Sequence, residues 1–172
     1  MACLDYTTLK GITYSCEANL AGIKEIYLGY RDDFTVTPNK DTKTATIAAI
    51  SSAKLYRYTF AKKTGSLTTS LTKDETNGIR YYTSTINLQF NKMEGAKHLE
   101  IEAMAAEQLI AIVVDNNGKS WLVGEDSYVS ADTTTAQTGQ GFDELNGYQI
   151  SLSSQSAYMP WEVSDYQSLI AA

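Results

Sequence analysis

Few residues in this chain have types suited to catalysis or metal binding, and their spacing excludes most of what they could do. His98 is the sole histidine and lies beside Leu99 in a stretch of helical period. No Gly-x-Ser-x-Gly elbow accompanies it, so a nucleophile–base pair has no template here. Cys3 and Cys16, thirteen positions apart, cannot complete a zinc site with one distant histidine, because such sites need three or four N or S ligands on short spacings. Asp115-Asn116-Asn117-Gly118 resembles part of a calcium loop, but Val113 and Gly124 occupy the first and last ligand positions, and the run reads instead as a hairpin turn. Gly139-Gln140-Gly141 lacks the strand-to-helix setting of a phosphate loop. The carboxylate pairs Asp32-Asp33 and Glu125-Asp126 sit in polar segments, where solvated charge is the default. No catalytic or metal residues, no cofactor and no small-molecule substrate are expected, and an enzyme is the least favoured class.

The most strongly patterned stretch runs from Thr64 to Ile110. Ser66 to Thr72 alternates, with Leu67 and Leu71 on one face and hydroxyls on the other. Asn77-Gly78 supplies a tight turn. The return run to Phe90 alternates again, with Tyr82, Ser84, Ile86, Leu88 and Phe90 on one side. At Asn91 the period changes: Asn91 to Glu94 has capping-box spacing, and a helix is expected over about 91–109. Ala96, Leu99, Ala103, Ala106 and Ile110 form its clean face, expected to pack on the sheet, so a charge at Leu99 should destroy the fold. Met93, Ile101 and Met104 lie on the opposite side and are candidates for an inter-subunit face.

Elsewhere, residues 22–30 and 56–60 read as strands, and Cys3 to Leu20 has no sustained period. The segment 32–52 reads as a long loop, with Asp32, Asp33, Phe34, Pro38, Ile47 and Ile50 as candidate contacts between copies, since long structureless loops in compact domains are usually functional or disordered. Ile110 to Val114 and Ser120 to Gly124 make a second hairpin. A polar stretch, 125–146, precedes a last strand at 148–152. The tail, about 156–172, has no strand pattern but carries Tyr158, Trp161 and Tyr166, and reads as an arm able to dock on a neighbour or fold back on its own subunit. One domain spanning 1–172 is expected, mainly β: an antiparallel sandwich or open barrel of six or seven strands with one flanking helix.

Composition narrows the partners. A net charge of −6 argues against holding nucleic acid, because phosphate contacts need clustered Lys and Arg. With 20% charged and 43% hydrophobic residues the chain is globular. No stretch has the length of a membrane span, the N-terminus lacks a signal pattern, and two cysteines suit reduced thiols in a protein made in the cytoplasm. Twelve tyrosines against four phenylalanines fit half-exposed strands or surfaces buried against partners.

The block Lys62 to Leu71, the Asn77-Gly78 turn, the Tyr82 to Leu88 strand and the capped helix together resemble the tail tube (major tail) proteins of tailed phages and prophages, particularly those of Bacteroidetes hosts. Ala111 to Lys119 leading to Trp121-Leu122-Val123-Gly124, and Thr138-Gly139 through Phe142 to Gly147–Leu152, extend the resemblance over about 54–155. The resemblance implies a virion protein made in the bacterial cytoplasm, self-assembling into stacked hexameric rings alongside other tail proteins. The rings form a hollow tube through which DNA passes without specific binding. It further implies that the 32–52 segment and the tail join rings. An acidic lining would repel phosphates and let DNA slide. The face formed by Ser66, Thr68, Ser70, Thr72, Thr83, Thr85, Asn87 and Gln89 is uncharged and is lumen wall or outer surface. The alternatives are a tail terminator, hub or decoration protein, or a glycan-binding sandwich with Tyr81 and Tyr82 as its stacking residues.

Overall fold

A computed structural model describes residues 9–172. The elements are β1 (Ile23–Tyr30), β2 (Phe34–Asn39), β3 (Thr44–Ala49), β4 (Tyr56–Thr59), β5 (Gly65–Asp74), β6 (Ile79–Asn91), α1 (Gly95–Ala106), β7 (Leu109–Asp115), β8 (Ser120–Val123), β9 (Ser130–Gln137), β10 (Gly147–Ser156) and β11 (Trp161–Glu162). The fold is mainly β, sandwich-like, with two sheets and one α-helix among the described residues. One sheet has seven strands in the order β2-β3-β11-β8-β7-β1-β4, and the other has four, in the order β5-β6-β10-β9.

The large sheet is buried on both faces. Along β7, Ala111 and Val113 point into the core shared with the small sheet and α1, while Ile110, Ile112 and Val114 point into a second core on the far side. A strand buried on both sides reads as an unbroken apolar run, which is what 109–114 shows. The second core exists because the sheet curls. β1 and β2 are joined by three residues, Arg31–Asp33, yet five strand spacings separate them in the sheet order. Flat, that gap would be about 24 Å, beyond the ~15 Å reach of the four Cα steps from Tyr30 to Phe34. Curling brings them together: Phe34, from the first strand in that order, packs over Gly29 beside Leu55, which leads into the last. Arg31 fastens this corner by donating to the carbonyls of Phe34 and Glu125.

Several expectations are corrected. The segment 32–52 is mostly the β2–β3 hairpin in full register from Phe34↔Ala49 to Asn39↔Thr44. Its Thr-rich alternation, Thr35 and Thr37 against Thr46 and Thr44, is an edge-hairpin pattern that Pro38 and the charges disguised as a loop.

The helix has the opposite face inward. Ile101 and Met104 are buried in the sandwich core and Met93 packs against it, whereas Leu99 is 70% exposed and Ala96, Ala103 and Ala106 are exposed too. The clean face was mostly alanine; burying Ile and Met removes far more apolar area from water, and that difference sets the rotation. The helix also starts at Gly95 with no side-chain cap, and Asn91 ends β6. Tertiary partners satisfy its start instead: the Glu94 N–H donates to the Tyr148 hydroxyl at 3.1 Å, and Met93 N to Asn146 Oδ1 at 3.2 Å. Ile110 belongs to β7.

The tail folds back on its own subunit. β11 inserts between β3 and β8, and the residues after it cross the second core, where Val163 and Tyr166 are buried, to pair Ile170 with Leu55. β9 lies within the polar stretch, where no strand was expected, and its SADTTTAQ sequence has no apolar alternation to reveal it.

Candidate assembly surface

The small sheet carries the most distinctive surface. Cross-strand register puts Leu67 opposite Ile86 and Ile150 opposite Leu88 on the inner face. By alternation the outer face takes Thr68, Ser70, Thr83, Thr85, Asn87 and Gln89 from β5 and β6. The same face continues across Gln149, Ser151, Ser153 and Gln155 of β10, and Thr133 and Thr135 of β9. A shallow concavity of about 350 Å³ on it is lined by Asn87, Gln89, Thr133, Thr135, Gln149 and Ser151. No aromatic ring lines that concavity, so the stacking platform of a glycan site is missing there.

Both ends of this sheet are open. β5 and β9 each bond a neighbour on one side only, and β9 is exposed from Asp132 to Gln137. In a four-stranded antiparallel sheet the end strands run in opposite directions, so β9 of one copy can continue the pattern antiparallel against β5 of the next. Exposed edges of this length are normally blunted by Pro, charge or a bulge; here β9 has one register shift, at Ser151/Leu152, with Asp132 beside it, and β5 carries charge only at its far end, Lys73 and Asp74.

The charged groups of the interior are structural. The Glu25 carboxylate is buried beneath Arg57, which donates from Nε at 2.7 Å, and it accepts the Tyr27 hydroxyl at 3.0 Å. Burial, then the Glu25 contact, pushes the Tyr27 phenol up to about 12. Tyr27 stacks at 5.4 Å on Tyr166, whose hydroxyl meets Ser120 Oγ at 2.9 Å. The Glu25, Tyr27, Tyr166 and Ser120 polar groups are thus matched to partners within the fold, with half-exposed Arg57 at the outer end of the chain of contacts.

A second cluster is less well satisfied. At the β2–β3 turn, Lys43 Nζ sits 3.4 Å from the Trp161 ring centre and 5.0 Å from that of Tyr158. Burial lowers the lysine to about 8, against the pull of Glu125 and Asp126. Burial, with Asp126 beside it, raises Glu125. Lys43 Nζ, Glu125 Oε2 and Trp161 Nε1 are buried without a well-aligned hydrogen bond. Cation–π attraction to Trp161, with the pull of Glu125 and Asp126, holds the ammonium.

The candidate contact residues therefore scatter. Phe34 and Ile47 lie in the second core; Pro38 is half-buried on β2; Asp32 and Asp33 form the short corner helix; Ile50 is exposed. Met93, Ile101 and Met104 serve the sandwich core. Trp161 and Tyr166 are buried in the second core, with Tyr158 packed against it. Tyr81 and Tyr82 are half-buried on β6. Cys3 lies outside the described residues. Among the described residues, no three His, Cys, Asp or Glu side chains gather as metal ligands, and no helix is long and apolar enough to cross a membrane. Comparison with protein-family models, curated proteins and solved structures gives no match.

Proposed function

We propose that this chain is a structural subunit that assembles head to tail into rings, and that the rings stack as the tail tube of a phage. The observation that carries this reading is the uncharged outer face of the small sheet, framed by two unpaired edges of opposite direction. Two different edges meeting make a heterologous contact, which closes into rings when the rotation permits. Joined through those edges, the small sheets of successive copies form a continuous wall of hydroxyls and amides. Such a wall gives DNA phosphates no cation to bind, and the net charge of −6 repels them. The ring number of six, the partner tail proteins and the virion location follow the sequence resemblance.

Negative-stain electron microscopy over a concentration series, with light scattering, tests the proposal. Hollow rings or tubes are expected. A monodisperse monomer at every concentration up to the millimolar range would overturn it.

A further inference from the structure

The first described residues belong to no sheet. From Leu9 to Ala21 no regular structure is present and every residue is exposed. Ile12 and Tyr14 retain 102% and 91% of their free exposure, so neither side chain is covered by its own subunit. Yet Ile12, Tyr14 and Cys16 alternate with Thr13, Ser15 and Glu17, the period of a strand with one apolar face.

Hydrogen bonds hold the end of this segment at the β7–β8 turn. Asn117, in the β7–β8 turn, accepts from Leu20 N at 2.8 Å and donates to Asn19 Oδ1 at 2.9 Å, while Asn116 Nδ2 donates to the Ala21 carbonyl at 2.7 Å. The chain is thus tied at residues 19–21 beside β7, where Leu20 and Ala21 also line a cavity with Phe60 and Ala61, just beyond β4. β4 is an end strand, hydrogen-bonded only to β1. Between it and α1 runs an apolar groove in two compartments, of about 230 and 190 Å³, that meet at Tyr58, Glu100 and Met104. The Tyr58 hydroxyl donates to Glu100 Oε2 at 2.9 Å across the groove and marks the division.

We propose that residues 12–16 of one copy add as a strand to the β4 edge of a second copy, with Ile12 and Tyr14 seated in the two compartments of its β4–α1 groove. Strand addition supplies main-chain hydrogen bonds, and pockets for alternate side chains supply specificity. Residues two apart on a strand point the same way about 7 Å apart, which suits two side chains on either side of the Tyr58–Glu100 pair. Arm and groove are different patches, so the contact repeats in one direction from copy to copy. The inference rests on the self-assembly reading and names the surface through which one copy grips the next.

Full-length chains with Cys3→Ser and Cys16→Ser provide the test. One carries Ile12→Cys and the other Tyr56→Cys, since half-exposed Tyr56 lines the first compartment. On mild oxidation the mixture should give a disulfide-linked dimer at least tenfold more abundantly than either chain alone. Equal yields, or no heterodimer, would overturn the inference. Separately, Ile12→Asp with Tyr14→Asp should leave the melting temperature unchanged and raise the midpoint concentration of association more than tenfold. Rings or tubes persisting in that variant would overturn the arm contact while leaving the tube reading in place. Cross-linked chains that show neither rings nor tubes would uphold the arm contact and overturn the tube.

Discussion

Lys43 shows how one residue can be both an anchor and a burden. Its ammonium is held over Trp161, and burial lowers its pKa from 10.5 to about 8. A lysine depressed in the fold binds its proton less tightly there than in the unfolded chain. Below about pH 8 both states are charged and the full penalty of burying the charge applies; between about 8 and 10.5 the unfolded chain alone holds the proton, and stability rises with pH. The melting temperature of the wild type relative to Lys43→Met should therefore be flat below pH 8 and climb between pH 8 and 10, by differential scanning fluorimetry. A sharper constraint sits at Gly147, where an added Cβ would lie 2.0 Å from the Phe90 carbonyl oxygen. No side chain can move aside, because the obstacle is backbone of the paired strand. Gly147→Ala should cost at least about 2 kcal/mol in denaturant unfolding, within the range for forced core strain.

At the scale of the element, α1 gives the clearest discrimination. Leu99→Asp should shift stability by no more than about 0.5 kcal/mol, as an exposed surface change does, because Leu99 is 70% exposed. Met104→Ala should cost about 2–5 kcal/mol, as emptying a packed core site does, because Met104 is 4% exposed. Urea unfolding of the two variants checks the helix rotation, and the reverse ranking would restore the alanine face as the inner one. The β2–β3 hairpin belongs to this scale as well. It brings Phe34, Ala45 and Ile47 to the second core, so it is part of the subunit's own frame and not a detachable loop.

For the whole molecule, the distribution of charge matters more than its sum. The net charge is −6, yet the outer face of the small sheet presents hydroxyls and amides. If that face lines a channel, adding cations there should convert a sliding surface into a binding one. Asn87→Lys with Gln155→Lys, both exposed on that face, should leave assembly intact and make the assembled protein retain duplex DNA at low salt. Retention should fall steeply between about 50 and 200 mM salt, since each phosphate contact adds to the salt slope. Filter binding across a salt series reads this, and unchanged weak binding would place the face away from DNA.

Elements whose pattern is local are legible in the chain alone. The β5–β6 hairpin follows from alternation and from Asn77-Gly78, whose glycine adopts φ +67°. The β7–β8 hairpin, β1 and the mainly β class were legible for the same reason: burial on one or both faces leaves its period in the chain. Tertiary structure alone decided which helix face turned inward, because two apolar stripes compete and only the shape of the facing sheets chooses between them. It alone revealed β9 and β11, whose pairing depends on neighbours far along the chain and not on their own side chains. It also decided that Trp161 and Tyr166 complete a second core, since the three-residue corner at 31–33 forces the large sheet to curl. Apolar side chains in a sequence declare that they will be covered; only the closed fold settles by what.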